Sequence, residues 1–270
     1  MIRKILSPNN QYIKLTASLR QKKYRDETGL FFVEGSRLVR EAVDSSWPME
    51  FALISETESI DAATQLLLET LAEKSCPVMT VPDSLYRKVS DTESPQGLLA
   101  VLRQQTGSLE KLAVPKKNSF WVILDAIQDP GNVGTIIRTA DAAGVAGVLL
   151  AADCADIYAG KTIRSTMGSL FHIPVVKASR SECVCFCERK FLNLYVAGAD
   201  AAVDYKDADF TAPSAVVFGN EGAGVSEAFR RQALASVRIP IMGRAESLNV
   251  ASAAAVILFE VARQQEFALS

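Results

Sequence analysis

Six short apolar runs recur through the second half of this 270-residue chain, at residues 120–124, 147–151, 173–176, 194–197, 215–218 and 237–239. They are continuous and β-branched, the pattern of strands buried on both faces of a parallel sheet. Helical stretches fall between them. One leaves the loop that follows residue 125 and ends near Gly144, and another covers residues 181–190. The clearest periodicity comes last, because Val250, Ala253, Ala254, Ile257, Leu258 and Val261 recur at the spacing of one face of an amphipathic helix. Ser247 and Asn249 sit where a side-chain oxygen would cap its first turn.

The first half alternates in the same way. Strands are expected at residues 31–33, 51–54, 78–81 and 97–102, and helices at 36–43, 61–74 and 84–89, which predicts a smaller α/β layer domain. The polar stretch 104–118, with Gly107, Pro115, Lys116 and Lys117, reads as a linker. The division is therefore residues 1–105, a linker at 106–118, and residues 119–270. A chain of this length supports two cores.

Several function classes drop out on composition. No apolar run approaches the roughly 20 residues that span a bilayer, and the chain start lacks the apolar core of a secretory signal. A cytoplasmic protein without a membrane partner is expected. Five cysteines, an odd number, argue against a disulfide framework. Cys183, Cys185 and Cys187 form one cluster, but Cys76 and Cys154 are isolated and His172 lies in another segment, so no metal site is expected.

The net charge of −2 by itself does not favour nucleic acid, and the distribution is more informative. Arg3, Lys4, Lys14, Arg20, Lys22, Lys23 and Arg25 precede the first acid, Asp26. Such a patch can neutralise phosphates, and it equally suits a solvated helix. With Ile13, Leu15 and Leu19 interspersed, residues 10–25 predict one basic amphipathic helix.

Two loops carry candidate chemistry. The first, Asp129-Pro130-Gly131-Asn132-Val133-Gly134, leads into the helix bearing Arg138, and both Asn132 and Arg138 should project towards the carboxyl ends of the strands. A helix cap and a solvent arginine are the plain alternatives. The second, residues 219–224, has the order GxxGxG, and the acid a nicotinamide dinucleotide would need falls only at Glu246, after Pro240. That ranks a nicotinamide oxidoreductase third among the readings.

Asn132 with Arg138, then Gly219-Asn220-Glu221-Gly222-Ala223-Gly224, then Ile239-Pro240-Ile241-Met242 with Ser247-Leu248-Asn249-Val250, resemble the three ordered motifs of the SPOUT-class ribose 2′-O-methyltransferases of rRNA and tRNA. Residues 164–174 are similar to a further family segment, and residues 10–14, 33–35 and 96–101 resemble the small substrate-binding domain that many members carry. The resemblance implies S-adenosylmethionine as cofactor, a deep trefoil knot in a parallel-sheet α/β domain, an N-terminal RNA-binding α/β domain, and a homodimer. It implies cofactor contacts from Gly219, Asn220, Gly222, Ile239, Met242 and Leu248. Asn132, Arg138, Glu221, Ser247 and Asn249 occupy the catalytic and RNA-positioning places. The residues 243–246 differ from the family pattern and leave specificity open.

Methyl transfer to a ribose oxygen needs that oxygen held in line and its proton removed or its charge stabilised. A guanidinium, with a pKa above about 12, is a poor base, so Arg138 is assigned to orienting the ribose or phosphate and stabilising alkoxide charge. His172 is assigned to packing, and no metal is required. The leading expectation is an rRNA 2′-O-methyltransferase, on 23S rRNA, because the resembling N-terminal domain is commoner among rRNA-modifying members. A tRNA methyltransferase and a catalytically silent RNA-binding protein of the same fold are the alternatives.

Overall fold

The computed structural model describes residues 3–58, 61–105, 107–112 and 119–265. The chain divides into two compact units, Met1–Gln105 with Tyr158–Phe171, and Thr106–Ile157 with His172–Ser270. Most of the linker stretch, residues 106 and 113–118, lies outside the described residues.

In the first unit the elements are β1 (Arg3–Lys4), α1 (Gln11–Ser18), α2 (Lys22–Thr28), β2 (Leu30–Glu34), α3 (Ser36–Asp44), β3 (Met49–Ser55), α4 (Ala62–Glu73), β4 (Val78–Val81), α5 (Asp83–Val89) and β5 (Leu98–Arg103). The sheet runs β1-β4-β3-β5-β2, with β5 antiparallel to both its neighbours. Phe32, Phe51, Leu53, Met79, Val81, Leu99 and Val101 from its strands meet Ile13, Leu19, Leu85 and Tyr86 in one core.

The basic stretch is two helices, not the single one expected for residues 10–25. Asn10 caps α1, its Oδ1 accepting from the Tyr12 amide at 2.9 Å, but Thr16 and Ser18 bond back to the Tyr12 and Leu15 carbonyls, and Gln21 is extended. Leu19 is buried in the break, and Arg25 donates to its carbonyl at 2.7 Å. Arg25 is thus a buried structural residue (5% exposed), and it leaves the group of candidate phosphate contacts.

The second unit holds β6 (Phe120–Asp125), α6 (Pro130–Ala142), β7 (Gly147–Leu150), β8 (Val175–Lys177), α8 (Arg180–Arg189), β9 (Asn193–Ala197), β10 (Val203–Asp204), β11 (Ser214–Gly219), α9 (Glu227–Arg230), β12 (Ala235–Arg238) and α10 (Val250–Gln264). Its sheet runs β10-β12-β9-β11-β6-β7-β8, and every pairing is parallel. The strand order reverses between β6 and β11, where Asp125 and Gly219 lie in register at the carboxyl ends. Open parallel sheets take their ligands at such a switch point. Val250, Ala254, Ile257, Leu258 and Val261 of α10 are buried as the periodicity predicts, and α10 lies against α6 and β11.

Helix α7 (Gly160–Thr166), between β7 and β8 in the chain, departs from the sequence division. Residues 158–171, expected in the second domain, group with the first unit. Tyr158 packs against Phe31 with ring centres 4.8 Å apart and Phe171 meets Trp47 edge to face at 5.2 Å, while Arg164 pairs with Asp91 at 3.1 Å. Aromatic burial holds a stretch that is too short and polar to announce itself in the sequence. His172 is likewise not a packing residue, since it is exposed and bonds Asp141 at 2.8 Å.

Candidate active site

The carboxyl end of β11 enters a turn that only glycine permits at two places. A Cβ on Gly219 would lie 2.3 Å from the backbone of Gly224, and Gly224 itself has φ +69°. Asn220 stitches the turn: its Oδ1 accepts from the Gly222 and Ala223 amides at 2.9 and 3.1 Å, and its Nδ2 donates to the Ala126 carbonyl at 3.1 Å. Beyond the turn, the Ser226 amide donates to Asp125 at 2.8 Å.

The turn exposes Glu221 towards two other elements. Asp129 caps α6 by accepting from the Asn132 amide at 2.9 Å, which places Asn132 in the first helical turn. Asn249 caps α10, its Oδ1 accepting from the Ala251 amide at 2.9 Å. Because that oxygen is committed, the Asn249 Nδ2 donates to Asn132 Oδ1 and to Glu221 Oε1, both at 3.1 Å. The Asn132 Nδ2 completes the triangle with a 2.5 Å bond to the same Glu221 oxygen. Residues up to 117 positions apart therefore converge on one carboxylate.

Beside this triangle lies an open pocket of about 920 Å³. Its apolar wall includes Phe218, Val237, Ile239, Leu248, Ala253 and Ile257, and its polar rim carries Asp200, Glu221, Glu246, Arg230 and Arg238. Gly219, Asn220, Gly222, Ser247 and Asn249 also line it. Two expected residues are elsewhere. Met242 is 95% exposed and absent from the lining, although its neighbour Ile241 belongs to it. Arg138 is exposed on α6 outside the lining, with no hydrogen-bond or ion-pair partner among the described residues. Asn249, not Ser247, supplies the helix cap.

The sequence reading missed Asp125, Arg180 and the rim residues Asp200 and Arg230. Asp125 is 1% exposed and accepts from Arg180 Nε at 2.7 Å, a hydrogen bond that raises the guanidinium above its usual range. An acid that closes an apolar strand was the signal available for it. Among the described residues no group of three or more His, Cys, Asp or Glu could hold a metal ion, and no helix is long and apolar enough to cross a membrane.

Two family models match the chain: the SpoU rRNA methylase family over residues 119–259, and the MRM3-like substrate binding domain over residues 10–100. The chain belongs to the SpoU rRNA methylase family. Among SpoU-type relatives it is 36% identical over 262 residues to the 23S rRNA (guanosine(2553)-2′-O)-methyltransferase RlmP of Bacillus subtilis (strain 168), covering 96% of this chain and 99% of that one. It is 34% identical over 269 residues to the 23S rRNA (uridine(2479)-2′-O)-methyltransferase of Streptomyces viridochromogenes, covering 97% and 93%. The structure matches that of an AdoMet-bound rRNA methyltransferase from Sinorhizobium meliloti with a TM-score of 0.89 at 32% identity, covering 100% of this chain and 99% of that one. The second unit is thus a SpoU-type parallel α/β domain.

Proposed function

We propose that the chain is an S-adenosylmethionine-dependent 2′-O-methyltransferase of rRNA, with 23S rRNA as substrate. The convergence of Asn132, Glu221 and Asn249 beside the glycine-turn pocket carries this reading, and the names of the two 23S rRNA relatives support the substrate.

The pocket suits that cofactor. Its volume falls in the range of about 300–1,000 Å³ typical of small-molecule sites. Backbone at Gly219 and Gly222 and the apolar surface of Ile239 and Leu248 offer a face to a purine, with Asn220 holding the turn in shape. Three acids against two arginines on the rim favour a ligand with net positive charge. When bound, S-adenosylmethionine supplies an electrophilic methyl group on a sulfonium. Met242 is left out of the cofactor set because of its exposure.

The remaining work falls to the chain's own groups. Asn132, Glu221 and Asn249, with Ser247 next to them, fix the wall against which a ribose is set. Arg138 orients the ribose or its phosphate and stabilises charge on the attacking oxygen. The first unit, with Lys14, Arg20, Lys22 and Lys23 exposed, binds the RNA backbone. A trefoil knot, a homodimer and a cytoplasmic location belong to the same reading. For the homodimer the support is α10, which leaves Val256 and Phe259 about 40% exposed opposite its buried face.

The test is transfer of labelled methyl from S-adenosylmethionine to purified 23S rRNA, 16S rRNA and tRNA, with NAD binding as a control. Alkali-resistant label in 23S rRNA is expected, because a 2′-O-methyl blocks cleavage at that linkage. Binding of NAD with no binding of S-adenosylmethionine would overturn the reading.

A further inference from the structure

The glycine turn is tied at its far end by a group outside the three motifs. Asp125 closes β6 directly beside Gly219 of β11, and its carboxylate is almost wholly buried. Each oxygen has one task. Oδ2 accepts from the Ser226 amide at 2.8 Å, where the chain leaves the turn, and Oδ1 accepts from Arg180 Nε at 2.7 Å. Arg180 is the first residue of α8, whose start is fixed by a capping box between Ser179 and Glu182, and it also reaches Asp153 at 3.5 Å. A buried carboxylate is retained only when paired and hydrogen-bonded, and Arg180 is the partner that Asp125 has beneath the turn.

The near end of the turn is already held by Asn220 through the Ala126 carbonyl, one residue along from Asp125. The last residue of β6 and the first of the loop after it thus grip the turn at both ends, and the pocket wall 219–224 hangs between the two grips. We propose that Asp125, held by Arg180, is a positioning residue for cofactor binding that fixes the exit of the glycine turn through the Ser226 amide. This rests on the reading of the pocket as the S-adenosylmethionine site. The pair acts before chemistry, on the shape of the pocket, so it sets cofactor affinity and leaves RNA binding alone.

Two substitutions remove the same bond from opposite sides. Asp125→Asn cannot serve two donors as the carboxylate does, because its amide keeps one acceptor oxygen. Ser226→Pro removes the donor from the other side: Ser226 has φ −65°, which proline shares, and its buried Oγ has no partner to lose, while the ring Cδ takes the donor's place against Asp125. Calorimetric titration of the full chain with S-adenosylmethionine should show each variant weakened about tenfold or more, as for loss of a hydrogen bond to a charged group. The double variant should be little worse than Asp125→Asn alone, since that substitution already disturbs the Ser226 bond together with the Arg180 pair. KM for the cofactor should rise while kcat at saturating cofactor and RNA affinity hold. Arg180→Lys, which keeps the charge, should recover most of what Arg180→Gln loses.

Folded variants that bind the cofactor with parental affinity, additive losses, or an equal fall in RNA affinity would overturn the proposal. Should Asp125→Asn or Ser226→Pro fail to fold, the comparison of Arg180→Lys with Arg180→Gln decides. A parental protein that does not bind S-adenosylmethionine would instead sink the cofactor reading itself.

Discussion

Asn249 shows how one side chain can hold both an element and a site. Its oxygen caps α10 and its nitrogen joins Asn132 to Glu221, so the cap dictates which way the amide faces. Asn249→Asp keeps an acceptor at the helix start, where negative charge is favoured, but loses both donors and sets a carboxylate against Glu221. Methyl transfer should fall on the order of 10²-fold while the melting temperature changes little. Asn249→Ala should lose the cap as well, at about 1 kcal/mol in thermal unfolding. Arg138→Ala should slow single-turnover transfer by on the order of 10²-fold with cofactor affinity intact. Recovery in Arg138→Lys would point to simple charge stabilisation, and no recovery to the planar fork. Transfer at the parental rate in Arg138→Ala would make it an ordinary surface residue. The cysteines give a separate check. Burial pushes the Cys183 and Cys187 thiols up to about 12 and those of Cys76 and Cys154 up to about 11, so at pH 8 they are unreactive. Iodoacetamide should modify exposed Cys185 first in the native protein, read by intact mass.

Among the elements, α1 and α2 carry the argument for RNA. Replacing Lys14, Arg20, Lys22 and Lys23 should flatten the salt dependence of RNA binding by about one unit of slope for each phosphate that is no longer neutralised. An unchanged slope would place the RNA elsewhere. Arg25→Ala should act differently, lowering stability by about 1–3 kcal/mol by leaving the Leu19 carbonyl without its donor. The strands were legible because buried parallel strands need continuous β-branched runs, and α10 because its buried face repeats over the twelve positions from Val250 to Val261. The break between α1 and α2 was not. Leu19 and Gln21 carry no glycine or proline signal, and burial of Leu19 in the sheet core interrupts the helix. Of the candidate site, the glycine turn and the Asn249 cap could be read locally, whereas at α6 the cap is Asp129 and not Asn132. That Asn249 bonds Glu221 could not, since it depends on how β11 and α10 are laid side by side by the sheet order.

At the scale of the molecule, the reversal of strand order between β6 and β11 gathers three distant segments at the carboxyl end of the sheet, and the function follows from that gathering. If exposed Val256 and Phe259 of α10 meet a second copy, light scattering at micromolar protein should give twice the 29.2 kDa chain mass, and charged substitutions there should reduce it. A monomer with full activity would remove the dimer from the account. The most direct measurement is a map of ribose methylation across 23S rRNA from cells with and without the protein. One methylated ribose that disappears with the protein, returns with the parental chain and does not return with Arg138→Ala is predicted. An identical map in all of these cells, with the protein shown to be present where expected, would contradict it.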